Sequence, residues 1–156
     1  MEAVAAVAQL AGASEIQEVQ IEAVKTLATQ GTEEAVEALG TILEGDAVVP
    51  VRTRAAAMIG LVGTAKARNL ERLERVASND PSPAVRGESL RALGTSTGAQ
   101  ARQALARLAQ NGVTPGERDR ARHQLETAEL VAGGGDLTDS FTETEHPKTK
   151  TATHIE

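Results

Sequence analysis

The chain has no cysteine, no tryptophan, no tyrosine and one phenylalanine, Phe141. Without cysteine there is no disulfide framework, no thiolate metal site and no cysteine nucleophile, which fits a cytoplasmic home. The lack of aromatics removes the stacking platforms that chromophores and single-stranded nucleic acids favour, and the Trp and Tyr anchors of most interfaces. No apolar run approaches the roughly 20 residues of a membrane span. Met1-Glu2-Ala3-Val4 opens without the basic region of a secretory signal. Histidine is scarce: His123, His146 and His154 are all there is. His123 and Glu126 stand at i, i+3, which is half of a carboxylate metal site, but no second such pair exists. There is no glycine-rich phosphate loop, no nucleophile elbow and no HExxH. The expectation is a non-enzymatic protein with no cofactor and no metal.

What the chain does have is a degenerate repeat. Val51-Arg52 is followed by Ala55 and Ile59, and Val85-Arg86 by Ser89 and Leu93; the frame also fits Val19-Gln20, Ala23 and Leu27, and more loosely Arg118, Ala121 and Leu125. The copies recur roughly every 32 to 34 residues, the period of a stacked-helix array. A small residue followed four positions later by a large aliphatic puts both on one helical face. The small one admits a neighbouring helix and the large one fills the space between. Asp46 before Val48-Val49-Pro50, and Asp80 before Pro81-Ser82-Pro83, read as helix caps followed by a first-turn proline. Gly60, Gly63 and Gly94 read as exits from the helices.

These signals predict helices at 2–11, 14–29, 32–44, 50–61, 65–78, 83–94, 98–110 and 115–131. Ser14 is expected to cap the second, Gln30-Gly31 to form a turn, and Thr114-Pro115-Gly116-Glu117 to form a capping box. Residues 1–132 form the repeat array. Residues 133–156 begin with three glycines, continue rich in Thr, Asp and Glu, and hold too little apolar surface to fold alone. They read as a disordered acidic tail, or as a short linear motif anchored on Phe141.

Asp80-Pro81-Ser82-Pro83-Ala84-Val85-Arg86, followed by Ser89-Leu90-Arg91-Ala92-Leu93-Gly94, resembles a HEAT-like repeat of the phycobilisome-lyase type. Asp46 to Arg52, followed by Ala55-Ala56-Ala57-Met58-Ile59-Gly60, is a second match. The resemblance covers about residues 1–131. It implies an all-α, right-handed solenoid of about four helical hairpins, or about eight helices. It also implies that Asp46, Arg52, Asp80 and Arg86 form a structural ladder between repeats, and that the second helix of each pair lines a concave surface. Members include bilin lyase subunits and adaptors, so the likeness speaks for architecture more than for activity.

Charge is unevenly placed within the net −6. Residues 1–45 hold eight acids and one base, whereas residues 46–94 hold five acids and eight bases. Arg68, Arg72 and Arg75 share one helical face, and Arg102 and Arg107 follow on the next second helix, so the five read as a candidate partner-binding strip. Glu71 and Glu74 nearby offer the plainer reading of a solvated, balanced face. The expected function is a protein-interaction or scaffolding module that presents the helices near 33–44, 65–78 and 98–110 to a protein partner. Two alternatives stand beside it: a subunit of a bilin lyase or isomerase, and an anion or nucleic-acid binder using the arginines. The acidic net charge and absent aromatics argue against nucleic acid. No membrane partner is expected, and the oligomeric state is left open.

Overall fold

A computed structural model describes residues 2–13, 16–62, 67–96 and 98–132. Among them every regular element is an α-helix: α1 Glu2–Ala13, α2 Gln17–Gln30, α3 Glu33–Glu44, α4 Val49–Val62, α5 Ala67–Asn79, α6 Pro83–Thr95, α7 Ala99–Asn111 and α8 Pro115–Ala132. Gly31 ends α2 in the left-handed region at φ 60°, its N–H donating to the Leu27 carbonyl, a closure that glycine allows without strain. Thr32 caps α3 by accepting the Ala35 N–H. The capping box at α8 is formed in both directions: Glu117 N–H donates to Thr114 Oγ1 at 3.1 Å, and Thr114 N–H to Glu117 Oε2 at 3.0 Å. α2 instead starts from Ile16, which offers no side-chain cap; Ser14, the expected cap, lies outside the described residues. So does the expected tail at 133–156.

The helices form two layers. α2, α4, α6 and α8 carry the repeat motif and pack side by side, while α1, α3, α5 and α7 form the second layer. The most extensive packing between consecutive helices is within α1–α2, α3–α4, α5–α6 and α7–α8. The chain therefore closes as the four expected hairpins, with α1 paired to α2 and α8 to α7. The repeat positions face inward as the spacing requires. Ala23, Ala55, Ser89 and Ala121 are buried, and Leu27, Ile59 and Leu93 are fully buried. Leu125, at the same position in α8, is only partly covered. Ser89 is sealed in the core, which removes its hydroxyl from any nucleophilic use.

Gly60 and Gly94 do not release the chain. Both lie inside helices, and their lack of a side chain serves packing. A Cβ on Gly60 would come within 2.9 Å of the Ala92 Cβ, so α4 and α6 touch at near-backbone distance. A Cβ on Gly94 would meet the Gln124 side chain. Gly63 lies outside the described residues. No helix among the described residues is long and apolar enough to cross a membrane.

Candidate functional site

The register of the repeat is fixed by four equivalent backbone bonds. Gln20, Arg52, Arg86 and Arg118 are each the fourth residue of a helix, and each donates its N–H to the residue before that helix: Ile16, Val48, Ser82 and Thr114. From that position an arginine reaches in two directions. Arg52 Nη1 bonds the Ala47 carbonyl in its own loop, while Nε and Nη2 take both oxygens of Asp80 in the next repeat, at 3.3 and 3.0 Å. Arg86 repeats the arrangement. Its Nη1 holds the Asp80 and Pro81 carbonyls, and its Nε donates to Glu117 at 2.8 Å. Arg118 Nη1 holds the Gly112 carbonyl at 2.7 Å, and among the described residues it meets no acid.

The acid of each rung is therefore set by position in space rather than in the motif. Asp80 lies six residues before its helix's arginine and Glu117 one residue before, yet both carboxylates serve the preceding arginine. Each also ties down its own loop, Asp80 by accepting the Ser82 N–H at 2.9 Å and Glu117 by accepting that of Thr114. Asp80 thus acts as a loop tie and rung, not as the expected helix cap. Asp46 stands where the same acid would serve residue 20. That residue is Gln20, shorter than arginine and uncharged, and among the described residues Asp46 makes no ion pair.

A second set of ion pairs crosses the α3, α5 and α7 face. Glu37 and Glu44 lie seven residues apart on α3, with Gly40 between them. Arg72 lies across Gly40, where any Cβ would strike its guanidinium, and reaches Glu37 at 2.7 Å and Glu44 at 3.6 Å. Arg68 flanks it on Glu37 at 3.2 Å, and Arg75 on Glu44 at 2.6 Å. On the next step Arg107 of α7 takes Glu74 of α5 at 2.6 Å. Arg102 makes no ion pair among the described residues. The structure thus brings Arg68, Arg72 and Arg75 together on one face and continues it with Arg107, each held by an acid of the preceding second-layer helix. Glu37 and Glu44 are the residues that sequence reasoning missed. Helix-neighbour logic pointed to Glu71 and Glu74 within α5. The usable signal was the near-repeat offset, 31 residues from Glu37 to Arg68 and from Glu44 to Arg75.

The Arg72 hydrogen bond, joined by the charge of Arg72 and by the hydrogen bond and charge of Arg68, holds the Glu37 carboxyl below the ordinary glutamate range against an opposing desolvation. A depressed folded-state pKa contributes stability that is fully present above the unfolded value of about 4.3 and is lost as pH falls through the lower folded value. Glu37 is largely open to water, so the contribution is modest. Acidification through that window is expected to release Arg68 and Arg72, and Glu37→Gln to remove that part of the acid dependence. Urea midpoints measured across pH for both proteins check this; parallel curves would show that the pair is not linked to folding.

Among the described residues no group of three or more His, Asp or Glu side chains could hold a metal ion. His123 and Glu126 are both exposed on α8. His146, His154 and Phe141 lie outside the described residues. In comparisons with known proteins, the family model described as HEAT repeats matches residues 36–126, from within α3 into α8. No curated protein matches the chain.

Proposed function

Because the chain belongs to the HEAT-repeat family, whose repeats generally serve as protein-interaction scaffolds, we propose that it is a non-enzymatic protein-binding module that docks its partner on the face of α3, α5 and α7. One observation supports this most. Arg68, Arg75 and Arg107 keep 72%, 55% and 55% of their side chains exposed while their guanidinium groups are held by Glu37, Glu44 and Glu74. A guanidinium has five N–H donors, and each intramolecular pair uses only part of them. The remaining donors sit in fixed places on an open surface, so a partner loses less side-chain entropy in engaging them.

The same pairing narrows the partner. Alternating Arg and Glu across neighbouring helices presents both signs at short range. Such a surface favours a protein face of mixed charge over a polyanion, because the acids offset the charge that would otherwise attract phosphate. Within the family we place the repeats with the phycobilisome-lyase type on the residues from Asp80 to Gly94, a placement that concerns fold alone. A cytoplasmic home is part of the same reading.

The test is affinity capture by the intact chain, compared with Arg75→Ala/Arg107→Ala. Both side chains are exposed and anchor no core contact, so the variant is expected to fold normally. The partner enriched by the unaltered chain is expected to be lost about tenfold or more in the variant, and to elute as salt rises. Equal capture by the two proteins would place the docking surface elsewhere.

A further inference from the structure

Two clefts in the array are the same place in successive repeats. One, of about 570 Å³, is lined by Arg52, Arg75, Val76, Asp80 and Pro81. The other, of about 520 Å³, is lined by Gln20, Thr41, Ile42, Asp46 and Ala47 at the corresponding positions. In the first, the Arg52 guanidinium closes the Asp80 carboxylate with two hydrogen bonds. In the second, the chain supplies only Gln20, and among the described residues neither the Gln20 amide nor the Asp46 carboxylate has a hydrogen-bond partner. Ala8, Ala11 and Ala38 complete its walls, so the floor is apolar and the single charge is Asp46. The repeat itself thus shows which group the position accepts.

We propose that this cleft anchors an arginine side chain presented by a basic segment of a partner protein. The guanidinium engages Asp46 as Arg52 engages Asp80, and the aliphatic stem lies against Ala8, Ala38 and Ile42. Arginine fits better than lysine because the neighbouring rung is bidentate, and only the planar fork meets two carboxylate oxygens at once. Charge is complementary as well. The first 45 residues carry eight acids and one base, and Glu18, Glu22, Glu33, Glu34 and Glu44 are exposed in α2 and α3. That field draws a basic segment toward this end of the array. The cleft borrows Ala38, Thr41 and Ile42 from α3, but its charged anchor, Asp46, is no part of the arginine pairs on the face of α3, α5 and α7.

The experiment titrates the intact chain with three capped tripeptides, Gly-Arg-Gly, Gly-Lys-Gly and Gly-citrulline-Gly, followed by amide NMR. The arginine peptide is expected to shift Ala8, Thr41, Ile42 and Asp46 saturably. The neutral citrulline peptide should bind about tenfold or more weakly, because it lacks the charge-assisted bonds, with the lysine peptide in between. Asp46→Asn should weaken the arginine peptide by a similar factor. Gln20→Arg should close the rung from within, raising the melting temperature and blocking the peptide. The proposal is overturned if the arginine peptide leaves the cleft amides unmoved, or if Asp46→Asn binds it as tightly as the unaltered chain. Arg107→Ala, whose partner Glu74 lies on α5 and lines neither cleft, should leave this titration unchanged while weakening capture on the docking face, which separates the two outcomes.

Discussion

Leu93→Ala is expected to lower stability by about 2–5 kcal/mol, toward the upper part of that range. Leu93 is fully buried in α6, the helix that packs between α4 and α8 and against α5. The cost of such a truncation depends on whether neighbours can close the space. Here they cannot move far, because the adjacent Ala92 already bears on Gly60. α4 has no side chain there to give way, and the void therefore persists. Leu125→Ala, at the same repeat position in the partly covered α8, is expected to cost clearly less. Urea midpoints for the two variants and the unaltered protein test the pair. An unchanged midpoint for Leu93→Ala would mean that the residue does not lie between helices.

Arg86→Ala is expected to cost about 3–5 kcal/mol, the scale seen when one partner of a buried ion pair is removed. The Arg86 and Glu117 side chains are 9% and 15% exposed. The guanidinium also holds two loop carbonyls. Its loss strands the Glu117 carboxylate and the Asp80 and Pro81 carbonyls where little water reaches, and each unsatisfied group carries its own desolvation penalty. Arg86→Met/Glu117→Leu, which removes both charges, is expected to recover the part owed to the stranded carboxylate, but not the part owed to the Asp80 and Pro81 carbonyls or to the Thr114 N–H that Glu117 caps. Denaturant unfolding of the single and double variants separates an uncompensated charge from lost packing. A single variant within about 1 kcal/mol of the parent would show that the rung is ornamental.

Much of this fold was legible because the residues that stack helices are local in sequence. Ala55 with Ile59, and Ser89 with Leu93, give both the period and the buried face. The Thr114–Glu117 box gives the start of α8 almost to the residue. The glycines misled because Gly60 near a helix end looks the same whether it frees the chain or admits Ala92, and only the neighbouring helix decides. The arginines of α5 were placed on one face correctly, but their counter-ions were sought at helix-neighbour spacing, whereas Glu37 and Glu44 sit one helix back in the second layer. Glu117 was read only as part of the capping box of α8. It supplies the acid of its rung from a different sequence position, which no motif comparison can register. Asp46 fits the motif by sequence and lacks its rung because of one substitution, Gln20, on another helix.

The Gly60–Ala92 contact also bears on how the array yields under load. In the layer of α4 and α6, helix backbones meet through glycine and alanine, and close-packed contacts of that kind resist both compression and separation. On the outer side of α3, α5 and α7, above the buried leucines of that layer, the helices also meet through long arginine side chains that lie on the neighbouring helix and are tethered at their tips. Exposed ion pairs lengthen or re-form at a cost of about 1 kcal/mol or less. Bending of the array is therefore expected to be taken up on the arginine side, with the glycine–alanine layer as the pivot about which its pitch opens or closes.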